Sequence, residues 1–172
     1  MAFITEDGTG LLNSNAWISV AYFKDYHDTR GNDYSGAASD TVIEQKIVQA
    51  TDYITRRFMG TWIGYRQGDN QSLDWPRISA FYPDGRAALG VPLELKQACA
   101  EYALRAIADT LAPDPTYDDT NAPIVSREEQ VGPIREAYTF GYFGATTSFR
   151  KYPLADSLLK ELTVRGRELL RV

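Results

Sequence analysis

Apolar residues recur at helical spacing in the first part of the chain. Ser19 stands where a helix N-cap belongs, and Phe23 and Tyr26 follow three residues apart. Gly31 is a typical C-terminal stop. The pattern therefore predicts a first helix over residues 20–29.

A longer helix is predicted a few residues further on. The run 39–44 contains two overlapping capping options, one of which pairs Thr41 with Glu44. Gly60 supplies a stop after Phe58. Between these ends, one amphipathic stripe consists of Ile43, Ile47, Ala50 and Ile54.

Helical patterning fails over residues 61–90, where glycines and prolines interrupt a segment that is rich in aromatic residues. A loop of this length inside a small domain is usually functional or held in place by its own side chains. Pro92 then occupies the first turn of a third predicted helix, residues 93–111. Alanines on several faces of that helix favour close packing on more than one side.

The period of the pattern changes after a loop or linker at residues 112–123. Charged, polar and apolar residues alternate over residues 124–140, and Gly132 and Pro133 separate two extended segments. This pattern predicts a β-hairpin. Its many charges imply that one face is solvated or is paired with a partner.

The C-terminal part begins with an aromatic, glycine-rich loop at residues 141–152. Pro153 opens a last predicted helix, whose stripe consists of Leu154, Leu158, Leu159 and Leu162. Residues 165–172 are basic and apolar, and the sequence offers them no evident core.

These elements predict a mainly α fold: a small helical bundle of three core helices plus a C-terminal helix, with a β-hairpin and long ordered loops. We expect one domain at residues 1–152, with the hairpin at about 124–140. Residues 153–172 are expected to form a C-terminal helix and tail that docks on neighbours.

Composition narrows the classes of function. The chain has 172 residues, 18 basic and 23 acidic, and a net charge of −5, which argues against a strongly basic nucleic-acid footprint. Only five of the basic residues are lysines, and the arginine bias favours planar, bidentate contacts. The 11 Tyr, 7 Phe and 3 Trp residues fit a protein interface and ordinary core filling about equally well.

Catalytic and metal chemistry has little support. With one His and one Cys, the chain offers no Ser-His-Asp, Cys-His or zinc set, and His27 and Cys99 are expected to be structural. The Gly8-Thr-Gly10 turn lacks the features of a phosphate loop. The acidic residues of the 112–123 loop lack the spacing of a calcium loop. We expect no enzymatic activity, cofactor or metal, although a pair of carboxylates elsewhere stays open.

No signal peptide or membrane-spanning run is evident, so a soluble protein made in the cytoplasm, without a membrane partner, is expected. Two stretches, residues 57–66 and 142–152, interleave aromatic residues with arginine or lysine, as single-strand binding sites do. Anchoring of loops onto the helices explains both stretches at least as well.

Several phrases occur together in a fixed order: Ile4-Thr-Glu-Asp-Gly-Thr-Gly10, Asn15-Ala-Trp-Ile-Ser-Val20, Ala50-Thr-Asp-Tyr-Ile54, Leu73-Asp-Trp-Pro-Arg77, Val91-Pro92 and Gln130-Val-Gly-Pro133. In this order and spacing the chain resembles a tailed-phage family of head-to-tail connector (adaptor) proteins. Some members carry the label of DnaT-like single-stranded DNA-binding proteins. The segment 141–152 is longer than the family pattern.

The resemblance implies a virion protein, assembled in the host cytoplasm. Its copies would form a ring, usually dodecameric, that binds the portal protein on one side and the tail or a second connector protein on the other. Genomic DNA would pass through the centre with transient, non-specific contact. The alternative that the resemblance leaves open is binding of single-stranded DNA.

A ring subunit requires surfaces for its neighbours. We expect partner contacts at residues of the hairpin, the following loop and the C-terminal segment: Arg127, Glu129, Arg135, Tyr138, Phe149, Arg150, Tyr152, Leu162, Arg165, Arg167, Leu169, Leu170 and Val172. Deletion of residues 165–172 should leave the monomer folded but weaken assembly.

Overall fold

The computed structural model describes residues 2–113, 126–131, 134–139 and 150–164. The chain divides into two compact units, Met1–Leu111 with Lys151–Val172, and Ala112–Arg150. We call them the helical unit and the hairpin unit. The division differs from the expected boundary after residue 152, because the helix that starts at Pro153 belongs to the helical unit.

The predicted mainly helical fold with a hairpin is confirmed. Helix α1 (Val20–Asp28) begins at Ser19, whose hydroxyl accepts a hydrogen bond from the Tyr22 N–H at 3.2 Å. Helix α2 (Asp40–Arg57) begins at Ser39, whose hydroxyl accepts from the Val42 N–H. Of the two capping options in this run, the structure therefore uses Ser39 rather than Thr41.

The core of the helical unit forms where α2 packs against α3 (Leu93–Ala108). The predicted stripe of α2 is buried, as are the small residues of α3: Ala98, Cys99, Ala100, Ala103 and Ala106. These small side chains allow other elements to approach α3, and both α1 and α4 (Pro153–Leu158) contact it. Helix α3 ends three residues earlier than predicted.

The last helix is shorter than its leucine pattern predicted. Helix α4 is followed by a 3-10 turn at Lys160–Leu162. Leu159 and Leu162 are fully buried, whereas Leu154 is 58% exposed. The predicted four-leucine stripe is present only in part, because residues 154 and 159 are five apart and so lie on different sides of an α-helix.

The long loop at residues 61–90 contains a small antiparallel hairpin of strands β1 (Tyr65–Arg66) and β2 (Arg77–Ile78). The Arg77 guanidinium donates to the carbonyl oxygens of Ile63, Gly64 and Asp74. A Cβ atom at Gly64 would lie 2.5 Å from the Ile78 carbonyl oxygen, so the close approach requires glycine. The loop is therefore held by its own side chains.

The hairpin unit contains strands β3 (Ser126–Val131) and β4 (Ile134–Thr139), which pair antiparallel as predicted. The register runs from Ser126 opposite Thr139 to Val131 opposite Ile134. Within the described residues this sheet has two strands only.

Candidate interaction surfaces

The histidine and the cysteine of the chain, His27 and Cys99, are both buried in the helical unit. His27 is fully buried, and its Nε2 lies 3.1 Å from the Ala100 carbonyl oxygen while its Nδ1 lies 3.0 Å from the Asn32 amide nitrogen. Nε2–H therefore donates to the carbonyl, and Nδ1 accepts from the amide. Burial lowers the pKa of His27 below its ordinary value, which favours this neutral form.

Cys99 is likewise structural, as predicted. Its sulfur is buried on α3 and lies 3.6 Å from the Thr51 hydroxyl on α2. Burial raises the pKa of the thiol to about 12, so the thiolate that a nucleophile requires does not form at neutral pH. Among the described residues no group of His, Cys, Asp and Glu has the arrangement of a metal site.

The N-terminal segment is organised by one buried carboxylate. Glu6 is 3% exposed, and its oxygens accept four hydrogen bonds at 2.9–3.0 Å, from the N–H groups of Gly8, Gly10 and Leu11 and from the Ser14 hydroxyl. Ser72 in the long loop donates to the Ser14 carbonyl oxygen at 2.6 Å. Glu6 is therefore linked through Ser14 to Ser72 in the long loop.

A half-buried polar cluster fixes α4 on the bundle. Asp156 forms an ion pair with Arg57 of α2 at 2.5 Å and accepts a hydrogen bond from the Tyr102 hydroxyl of α3. The rings of Tyr53, Tyr102 and Tyr152 pack edge-on or tilted beside it, with centroids 5.3–6.0 Å apart. Burial first, and the bond to Asp156 second, raise the pKa of Tyr102, so the phenol stays protonated.

Tyr152 of this cluster also bonds to the segment that follows α3. The Tyr152 hydroxyl donates to the Leu111 carbonyl oxygen at 3.1 Å. Leu111 precedes the hairpin unit and Lys151 follows it. A hydrogen bond within the helical unit therefore joins the residues that flank the hairpin unit in sequence.

Two grooves lie on the helical unit. One, of about 520 Å³, is lined by residues that include Arg30, Arg105 and Leu154. Both cations are engaged: Arg30 lies 3.6 Å from the centroid of the Tyr26 ring, and Arg105 pairs with Glu101 at 2.7 Å. Glu101 also accepts from the Tyr26 hydroxyl, and burial together with this carboxylate raises the pKa of Tyr26 to about 12.

The second groove, of about 630 Å³, follows the outer side of α2. We call it the α2 groove and define it by Phe3, Glu44, Val48, Asp52 and Leu73. Its charged lining residues are both acidic. Sequence reasoning missed it, although the four-residue spacing of Glu44, Val48 and Asp52 along one face of α2 is a usable signal.

The stretch at residues 57–66, in which arginines and aromatic residues are interleaved, is only partly exposed. Trp62 is buried, and its indole N–H donates to Asp74 at 3.1 Å. Arg66 donates to the carbonyl oxygens of Gln71 and Leu73. Tyr65, however, is 72% exposed. Of the other stretch, residues 142–152, the structure describes residues 150–152. Among these, Tyr152 makes a hydrogen bond within the helical unit.

The predicted partner residues divide into three groups. Arg127, Glu129, Arg135 and Tyr138 lie on β3 and β4, and Arg150 is exposed. Leu162 is fully buried inside the helical unit and Tyr152 bonds within it, so neither offers the free surface that was expected. The others lie outside the described residues: Phe149, Arg165, Arg167, Leu169, Leu170 and Val172.

Comparison with known proteins identifies the class. The whole chain, residues 1–172, matches the family described as "Putative DnaT-like ssDNA binding protein", and it belongs to that family. No curated protein and no solved structure matches it significantly. In the described part of the chain, no helix has the length and apolar character needed to cross a membrane.

Proposed function

We propose that this protein is a structural virion component, a head-to-tail adaptor whose copies form a ring between the portal and the tail or a second connector ring. The ring is dodecameric, and DNA passes through its centre. The observation that carries this proposal is the β3–β4 hairpin, which forms a two-stranded sheet in a unit of its own.

A hairpin of two strands is marginally stable in water, and no further strand among the described residues pairs with either edge of this one. Pairing with a neighbouring chain supplies the missing backbone bonds, as in strand addition. Repeated around an axis, such a head-to-tail contact closes a ring.

The charge of the chain fits a conduit for DNA. A net charge of −5 per copy repels phosphates, so DNA traverses the channel without strong binding. We propose no catalytic role, because His27 and Cys99 are committed to packing contacts. The adaptor is assembled in the host cytoplasm and resides in the virion.

The test is imaging of the purified full-length protein, alone and with the portal protein encoded by the same genome. Negative-stain electron microscopy and native mass spectrometry should show closed rings of one stoichiometry that stack on the portal. A chain that stays monomeric at high concentration and also with the portal would refute the adaptor function.

Single-strand binding is a second candidate, favoured by the family description and by exposed Tyr65 next to Arg66. Aromatic stacking and phosphate contacts of this kind give binding that weakens steeply with salt. Fluorescence anisotropy with a labelled single-stranded oligonucleotide at low salt tests it. Tyr65→Ala should weaken binding about 10-fold, whereas Tyr34→Phe, at a tyrosine bonded to Asp28, should not. Absence of binding at low salt rules the candidate out.

A further inference from the structure

The α2 groove combines apolar and neutral polar lining residues with two carboxylates. Phe3, Val48 and Leu73 supply the apolar surface, and Glu44 and Asp52 supply two carboxylates. In the part of the chain that the structure describes, neither carboxylate has an ion pair or a hydrogen bond. A ligand suited to this groove carries positive charge together with aliphatic side chains.

The other groove provides an internal contrast. There, Arg105 pairs with Glu101, and Arg30 lies on the Tyr26 ring and donates to the Tyr26 carbonyl oxygen at 2.9 Å. Its charged groups are thus engaged within the chain. The α2 groove has a similar volume, but its charges are left for a partner.

The chain itself contains a segment of the required chemistry. Residues 165–172 read Arg-Gly-Arg-Glu-Leu-Leu-Arg-Val, with three arginines against one glutamate and three aliphatic side chains. The two carboxylates of the groove match the net charge of that segment. Its leucines match the apolar lining residues.

We propose, resting on the ring function above, that the α2 groove binds residues 165–172 of the neighbouring copy. The last described residue, Val164, donates its N–H to the Thr61 carbonyl oxygen at 2.7 Å, beyond the C-terminal end of α2. The groove follows α2 nearer its N-terminal end, from Thr41 to Asp52. Donor segment and acceptor groove thus start from different parts of one subunit, as a head-to-tail contact requires.

Cross-linking between two distinguishable full-length versions tests the placement. One version, isotopically labelled, carries Gln49→Cys in the groove, and the other carries Glu168→Cys. Native Cys99 is fully buried and does not compete. After the two versions are mixed and oxidised, mass spectrometry of the digest should show disulfides that join labelled and unlabelled chains. Ser157→Cys, at an exposed site on α4, replaces Gln49→Cys as the matched control and should give none.

Charge reversal tests the chemistry of the contact. Glu44→Lys with Asp52→Lys should raise the concentration needed for ring formation at least 10-fold, and adding Arg165→Glu with Arg167→Glu should restore assembly. The control reverses two exposed acids elsewhere, Asp25→Lys with Asp69→Lys, and should assemble normally.

The outcomes separate the two proposals. If the wild type forms rings but the Gln49→Cys and Glu168→Cys versions give no cross-link, or if rings tolerate the groove reversal, the groove assignment is overturned and the ring function stands. Cross-links from position 168 to added portal protein, in place of the groove, would also overturn it. Failure of the wild type to form rings, both alone and with the portal protein, would refute the adaptor function itself.

Discussion

The two hairpins of this protein are ordered in different ways. The β1–β2 hairpin has strands of two residues, yet it lies in the helical unit and is held by side chains around it. Arg77 bonds three carbonyl oxygens there, and buried Gln71 donates to the carbonyl oxygens of Leu73 and Pro76. The β3–β4 hairpin has strands of six residues and belongs to a separate unit.

We infer from the comparison that ladder length alone does not decide how a hairpin is held in place. Side-chain bonds to backbone carbonyls fix the short hairpin, because the helical unit supplies both the donors and a buried setting. The long hairpin has more ladder pairs, and no third strand joins it among the described residues, so we expect its stability to depend on other chains.

We expect the largest loss of stability from removal of the Glu6 carboxylate. This carboxylate organises the N-terminal segment, and the loop that carries the short hairpin is hydrogen-bonded to that segment. Glu6→Ala leaves three N–H groups and the Ser14 hydroxyl without their acceptor, and should lower the free energy of unfolding by about 3 kcal/mol or more. Urea denaturation followed by tryptophan fluorescence measures it. Glu6→Gln, which retains one acceptor, should lose less; equal losses would contradict this role.

A smaller loss is expected from the arginine that fixes the short hairpin. Arg77→Ala removes bonds to three carbonyl oxygens and should cost about 2 kcal/mol in the same experiment. Arg86→Ala is the control, because Arg86 is exposed and its ion pair with Asp84 is local, so the free energy of unfolding of this variant should stay close to that of the wild type. Similar values for the two variants would show that the carbonyl contacts do not stabilise the hairpin.

Mild acid should weaken the helical unit through His27. Burial lowers the folded-state pKa of His27, so the unfolded chain binds a proton below about pH 6.5 while the folded chain resists it. The contribution of neutral His27 is complete above that pH and is lost as the pH falls toward the folded-state pKa, by at most about 1.4 kcal/mol per pH unit.

The measurement is the free energy of unfolding between pH 7.5 and 5, compared with that of His27→Gln. The variant has no imidazole to titrate, so its pH profile should be flatter over this window. Parallel profiles would exclude His27 as the source of the acid sensitivity.

The smallest effect on folding, with a large effect on assembly, is expected in the long hairpin. Backbone groups along an antiparallel ladder point alternately toward the paired strand and outward. If the Val131–Ile134 pair next to the turn is hydrogen-bonded, the N–H of Glu128 points outward. Glu128→Pro should then change the unfolding free energy of the helical unit by less than about 0.5 kcal/mol.

Ring formation by the Glu128→Pro variant should nevertheless be lost, because a neighbouring strand can no longer accept from that N–H. Glu128→Thr, which removes the charge but keeps the N–H, should still assemble. Native mass spectrometry measures both variants, and rings of Glu128→Pro would show that the β3 edge is not an interface.

The local pattern of the sequence was sufficient for the helices and for the long hairpin. Ser19, the stripe of α2 and the alternation around Gly132 and Pro133 are short-range signals, and the elements that they predict are present. The error in the C-terminal helix arose because the four leucines were read as one face, whereas residues 154 and 159, five apart, lie on different sides of an α-helix. Leu162, which was expected at a partner surface, is a core residue.

The contacts that define the surfaces were not predictable in the same way. Glu6, Arg57 and Asp156 find partners up to 99 residues away or in irregular loops, and no periodic pattern encodes such pairs. The α2 groove requires Phe3 and Leu73 to lie beside the polar side of α2, which depends on how the loops fold back. Of this groove, only the four-residue spacing of Glu44, Val48 and Asp52 along α2 can be read from the sequence.

The bond from the Tyr152 hydroxyl to the Leu111 carbonyl oxygen has a further consequence. This bond joins the residues that flank the hairpin unit in sequence, and the closure entropy of a segment between two such points changes only slowly with its length. We therefore expect that a longer segment, a shorter one or a simple Gly-Ser bridge can replace residues 112–150 while the helices remain folded.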